Sequence, residues 1–150
     1  MEFEHVFFEL DVDDAERAAL AELLDEGERA RAAGFHFPEG RARFVAAHGH
    51  LRRWLGRLTG VEPAALRFAE QADGKPWLPD FPGLCFNLSH SGGRGLAVVS
   101  RVAELGCDIE QVVPRNASMK VARRFFADDE FAVLEGLPEA QRIEGFFNCW

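Results

Sequence analysis

The chain has 150 residues, 47% of them apolar, and a formal net charge of −8. That size suits one globular domain or two small lobes, and the acidic balance argues against general binding to nucleic acid or to an anionic membrane. No apolar run reaches the about 18 residues of a membrane span, and the acidic opening MEFEHVFFELDVDD is unlike a signal peptide, so the default expectation is a soluble cytoplasmic protein.

In chain order, EFEHVFFEL alternates well enough for a strand. Asp13 or Asp14 can cap a helix through about Asp25, with Ala18, Leu20, Leu23 and Leu24 as its apolar stripe. A short helical piece follows around Arg29. The strongest helix runs from Pro38 to Leu58: proline suits a first turn, Gly60 suits the end, and Phe44, Leu51, Leu55 and Leu58 share a face with His48 beside them. Beyond VEPAAL the pattern turns β-like, with LRFAEQ and LCFNLSHS as strands around the turn ADGKPWLP. GGRG then leads into LAVVSRVA, and ELGCDIEQV reads as a further strand. From Ala117 onward the chain is helical again: ASMKVARRFF, DDEFAVLEGL and PEAQRIEGFFNCW. This is an α+β pattern with a mostly antiparallel sheet. Cys85, Cys107 and Cys149 have no disulfide or zinc spacing and read as small buried hydrophobes in a reducing compartment.

Charge is segregated. Residues 1–28 hold eleven acids and one base, whereas Arg29 to Arg57 hold seven arginines, three histidines and the single acid Glu39, a local excess of +6. The two readings are a site for a small polyanion and a solvated helix face. In GCDIE, strand alternation would turn Asp108 and Glu110 to one face with Cα atoms about 6.5–7 Å apart. One cation could bridge them, as Mg²⁺ does when it takes one or two carboxylates and completes its shell with water and phosphate oxygens. The alternative is an exposed strand face. Ser89 and His90 precede the glycine-rich turn SGGRG, where freed amides, a hydroxyl and an imidazole suit phosphate. As neighbours on a strand they face opposite ways, so they are no nucleophile–base pair. Lys75 sits in the tight turn DGKPW, and Glu130 early in a predicted helix.

The order of GKP at 74–76, FNLSHS at 86–91, GCDIE at 106–110, RRFFADDE at 123–130 and FFNCW at 146–150 resembles the motif series of the 4′-phosphopantetheinyl transferases, of the surfactin-synthetase-activating type. The resemblance covers about Arg31 to Trp150. It implies transfer of phosphopantetheine from coenzyme A to a serine of an acyl or peptidyl carrier protein. By resemblance Arg31, Arg43, Ser89 and His90 contact the phosphates of coenzyme A, and Gly74, Lys75 and Pro76 lie against its adenosine. Asp108 and Glu110 hold Mg²⁺, or Mn²⁺, with Asp108 also counted as catalytic, and Glu130 is the base or water-orienting group. Phe125, Phe126 and Phe131 border an apolar groove for a carrier helix, or else belong to the core.

The family fold is a pseudo-dimer of two α+β halves. The resemblance implies a complete first lobe over 1–100 and an incomplete second over 101–150, because family members continue past the tryptophan as W-x-x-K-E-A. That motif supplies a third metal ligand and a phosphate-binding lysine. The expectations that follow are low transfer activity, partly unpacked Phe146, Phe147 and Trp150, and self-association through the unfinished edge. Two other readings stay open: a non-catalytic coenzyme A or carrier-protein binding module, and a metal-dependent phosphohydrolase that releases free phosphopantetheine without any carrier.

Overall fold

Helix starts follow the caps that the sequence offers. In the computed structural model, which describes residues 2–150, Asp13 accepts the Glu16 N–H at 2.8 Å and opens α1 (Asp14–Glu22). Asp25 and Glu28 exchange reciprocal bonds of 2.9 and 3.0 Å at the start of α2 (Glu26–Ala33), the short helical piece expected around Arg29, and α1 stops at Glu22, short of the expected Asp25. α3 (Pro38–Thr59) starts on proline and stops at Gly60, whose φ of 74° is left-handed.

The chain divides into two compact units, Met1–Ile109 and Glu110–Trp150. In the first, β1 (Phe3–Glu9), β4 (Cys85–Ser91) and β5 (Arg94–Ser100) form an antiparallel sheet in the order β1-β5-β4, with β2 (Ala69–Glu70) and β3 (Pro76–Trp77) as a small separate hairpin. LRFAEQ thus contributes only a two-residue strand. One face of the sheet carries Phe8, Phe86, Ala97 and Val99 into a core completed by Leu20, Phe44, Leu51 and Leu55 of the helices.

The contact of α1 with α3 depends on Gly49. A Cβ there would lie 2.6 Å from the Leu20 Cβ and 2.9 Å from its carbonyl oxygen. Backbone cannot step aside as a side-chain end can. Gly49→Ala is expected to destabilise the fold by about 1–2 kcal/mol in urea unfolding, although alanine is the better helix former, because overpacking outweighs propensity.

The stretch ELGCDIEQV differs from expectation. Residues 101–113 form no regular strand. Exposure still alternates there, with Leu105, Cys107 and Ile109 half-buried and Gly106, Asp108 and Glu110 exposed. The second unit packs α4 (Met119–Phe125), α5 (Asp128–Gly136) and α6 (Glu139–Cys149) around Ala122, Leu134 and Phe146. Phe146 is 2% exposed, stacked on Trp150 at 5.6 Å and edge-on to Phe147 at 5.3 Å, so it is fully packed rather than lacking partners. Phe126 and Phe131 pack on this core while Phe125 is exposed. The three cysteines are free and partly exposed, not fully buried. Among the described residues no helix is long and apolar enough to cross a membrane.

Candidate functional site

The first unit holds a cleft of about 1120 Å³ between α2, the 34–37 loop, α3, the 68–76 hairpin and β4. Its lining includes Phe35, Phe37, Phe44, Phe68 and Phe86, of which Phe35 and Phe37 are exposed and Phe44 and Phe86 buried. Arg31, Gly74, Pro76 and His90, named from sequence, meet here. The Arg31 guanidinium lies over the Phe44 ring at 5.5 Å, and His48 stacks on that ring at 4.0 Å. Gly74, at φ 84°, makes the turn that presents Pro76. The cleft thus combines an aromatic floor with cationic and imidazole groups at its walls.

His90 is open to solvent at the cleft, yet the protein mass behind its ring desolvates it. That burial, with His48 as the smaller cause, holds its pKa below the usual imidazole value. Glu28 also borders the cleft and accepts from His48 Nδ1 at 3.0 Å and Arg52 Nε at 2.6 Å. Burial alone would raise its pKa; the His48 hydrogen bond and the Arg52 charge outweigh it, and the net shift is downward.

Three of the seven arginines in the arginine-rich stretch are paired with carboxylates. Arg43 binds Asp11 through Nε at 2.7 Å and Nη2 at 3.0 Å, and pairs with Glu39 at 2.7 Å. Arg53 pairs with Glu16 at 2.5 Å, and Arg52 with Asp25 and Glu28. Folding thus pairs four acids of the first block, Asp11, Glu16, Asp25 and Glu28, with arginines of α3. Of the arginines in the cluster, Arg31 lines the cleft, whereas Arg43 is not part of its lining and is paired with Asp11 and Glu39. Lys75 likewise turns away: its ammonium donates to the Leu105 carbonyl at 3.0 Å and pairs with Glu104 at 3.3 Å.

Ser89 and His90 point to opposite faces of β4. While His90 lines the cleft, the Ser89 hydroxyl donates to Asp108 Oδ1 at 2.8 Å and accepts the Ile109 N–H at 3.1 Å. Asp108 therefore sits over Ser89 as the exposed carboxylate of a segment laid against β4. Glu110 is an exposed residue at the start of the second unit. Glu130, also in that unit, accepts the Ala127 N–H at 3.0 Å. Alanine offers no acceptor in return, so only half of a capping box forms. Among the described residues no group of three or more His, Cys, Asp or Glu side chains is arranged to hold a metal ion.

Comparison with known proteins shows what the chain as a whole is similar to. The chain is 40% identical over 144 residues to the 4′-phosphopantetheinyl transferase HetI of Nostoc, a match covering 94% of the chain and 61% of that protein. It is 26% identical over 145 residues to the transferase Sfp of Bacillus subtilis, covering 97% and 63%, and 34% identical over 116 residues to AcpT of Escherichia coli, covering 75% and 55%. The chain belongs to the 4′-phosphopantetheinyl transferase superfamily. No protein-family model matches it. It spans about 60% of the length of the relatives HetI and Sfp.

Within this chain, sequence reasoning missed Asn87, His48, Glu28 and Arg52. Asn87 stands inside FNLSHS, and its Oδ1 accepts the Cys107 N–H at 3.1 Å. A polar residue at an alternate position of an otherwise apolar strand was the available signal. His48 and Arg52 carried one too, as polar groups next to the buried stripe of α3.

Proposed function

We propose that this chain forms the coenzyme A-binding part of a 4′-phosphopantetheinyl transferase, acting with Mg²⁺ or Mn²⁺ on an acyl or peptidyl carrier protein. The observation that carries the reading is the meeting of Arg31, Gly74, Pro76 and His90 on one aromatic-floored cleft, in a chain with this ancestry. The Phe68 side chain and the Gly74–Pro76 turn receive the adenosine. Arg31 and His90 donate to phosphate oxygens, as charge-assisted bonds that fix its position. Phosphoryl transfer depends chiefly on positioning and on neutralising charge that develops at the leaving oxygen.

The carboxylates fit a metal that needs other ligands. Asp108 and Glu110 are both exposed and stand one residue apart in a segment of alternating exposure. Two carboxylates and no closed cage suit Mg²⁺ or Mn²⁺, which fill their remaining positions with water and substrate phosphate. Bound there, the ion would neutralise the pyrophosphate. Glu130 would accept the proton of the carrier serine.

Calorimetric titration with coenzyme A, with and without Mg²⁺, tests the assignment on the wild-type chain and on Asp108→Ala. The expected result is binding that Mg²⁺ strengthens only while Asp108 is present. Failure of the wild-type chain to bind, or binding indifferent to both Mg²⁺ and Asp108, would remove the reading.

A further inference from the structure

Residues 107–109 lie against β4 with no backbone ladder in regular strand pairing, and side chains of β4 make the bonds instead. Asn87 Oδ1 accepts the Cys107 N–H at 3.1 Å, and the Cys107 thiol lies 3.4 Å from the same oxygen. Two residues along, Ser89 Oγ accepts the Ile109 N–H at 3.1 Å and donates its proton to Asp108 Oδ1 at 2.8 Å. The two-residue step on β4 matches the two-residue step from Cys107 to Ile109. Side chains two apart on a strand share a face, so Asn87 and Ser89 both reach the segment. Phe86, Leu88 and His90 line the cleft, which Asn87 also borders and Ser89 does not.

A serine hydroxyl has one proton to give. Here it goes to the Asp108 carboxylate, while an oxygen lone pair holds the backbone of the next residue. The hydroxyl thereby fixes both the position of the segment and the orientation of the carboxylate. Partners of this kind set the geometry of metal-binding carboxylates.

We propose that Asn87 and Ser89 are positioning residues for the Asp108 carboxylate, and that of the Ser89–His90 pair only His90 serves the cleft. The inference rests on the proposed role of Asp108 as a metal ligand. It replaces the phosphate contact that the motif resemblance implies for Ser89 with a bond to the metal-binding segment.

Three readouts on the whole chain test it: amide exchange of Cys107 and Ile109 by NMR, Mn²⁺ affinity without nucleotide, and coenzyme A affinity in the presence of a chelator. For Ser89→Ala, Ile109 exchange should accelerate by roughly tenfold, the worth of one hydrogen bond. Mn²⁺ affinity should fall by about tenfold or more, with metal-free coenzyme A binding unchanged. Ser89→Thr keeps the hydroxyl and should restore the first two. Asn87→Ala gives an independent arm, in which Cys107 exchange accelerates and Mn²⁺ binding weakens.

Weaker metal-free coenzyme A binding in Ser89→Ala, with Ile109 exchange unmoved, would overturn the proposal and make the hydroxyl a phosphate contact. Faster exchange with Mn²⁺ affinity intact would overturn the positioning role as well. A wild-type chain that binds neither Mn²⁺ nor coenzyme A instead removes the proposed function and with it the purpose given to Asp108. Ile109 exchange in Ser89→Ala then still decides whether Ser89 holds the segment.

Discussion

Arg52→Ala is expected to destabilise the first unit by about 3–5 kcal/mol in urea or thermal unfolding, the largest effect of any single charge change in the chain. Arg52 is 0% exposed. Its guanidinium donates to Glu28 at 2.6 Å, Asp25 at 2.5 Å, and the carbonyls of Pro63 and Leu66 at 3.1 and 2.9 Å, beneath the Phe68 ring at 4.7 Å. Removing it leaves the buried Glu28 carboxylate without the Arg52 charge and the Leu66 carbonyl without that donor. Arg52→Lys should be intermediate, since one ammonium cannot cover four acceptors in three directions. A loss under about 1 kcal/mol for Arg52→Ala would show that the network contributes little.

Acid should expose the same network. The Glu28 pKa is lower in the folded chain than the about 4.3 of a free glutamate. Its stabilising contribution is therefore complete above about pH 4.3 and is lost as pH falls through the lower, folded value. The His48 hydrogen bond is the larger cause of that depression and the Arg52 charge the next, so losing Arg52 removes part of it and acid unfolding should begin at higher pH in the variant.

Arg31→Ala combined with His90→Ala is expected to weaken coenzyme A binding by at least about 100-fold, because two charge-assisted contacts of about 1.5–3 kcal/mol each are removed. The single variants should each retain measurable binding. Wild-type affinity should also rise as pH is lowered from about 8 to about 6, across the usual imidazole value of about 6.5. The sign follows from His90: desolvation and then His48 keep it neutral in the empty cleft, and phosphate favours its protonated form, so binding takes up a proton. His48, Arg31, Glu28 and Asp25 border the same cleft and set the background against which it titrates. The pH dependence should be smaller in His90→Ala. An unchanged pH dependence there, or unchanged affinity in the double variant, would place the phosphates elsewhere.

Local signals determine much of this protein. Asp13 and Pro38 open helices and Gly60 ends one because capping and left-handed backbone are properties of a few neighbouring residues. The alternation in FNLSHS separates Ser89 from His90 for the same reason, and the order of short motifs was enough to place the chain in its family. Three things needed the fold. The charge blocks at 1–28 and 29–57 look like an acidic face and a basic face, but pairs such as Asp11–Arg43 and Glu16–Arg53 join residues more than thirty apart. GCDIE has the composition of a strand, yet its bonds go to the side chains of Asn87 and Ser89, which composition cannot reveal. Lys75 looks like a ligand of the cleft until Leu105 and Glu104 are seen to hold it. Sequence records which residues are chemically able to bind. Only packing decides which of them have already been bound by the protein itself.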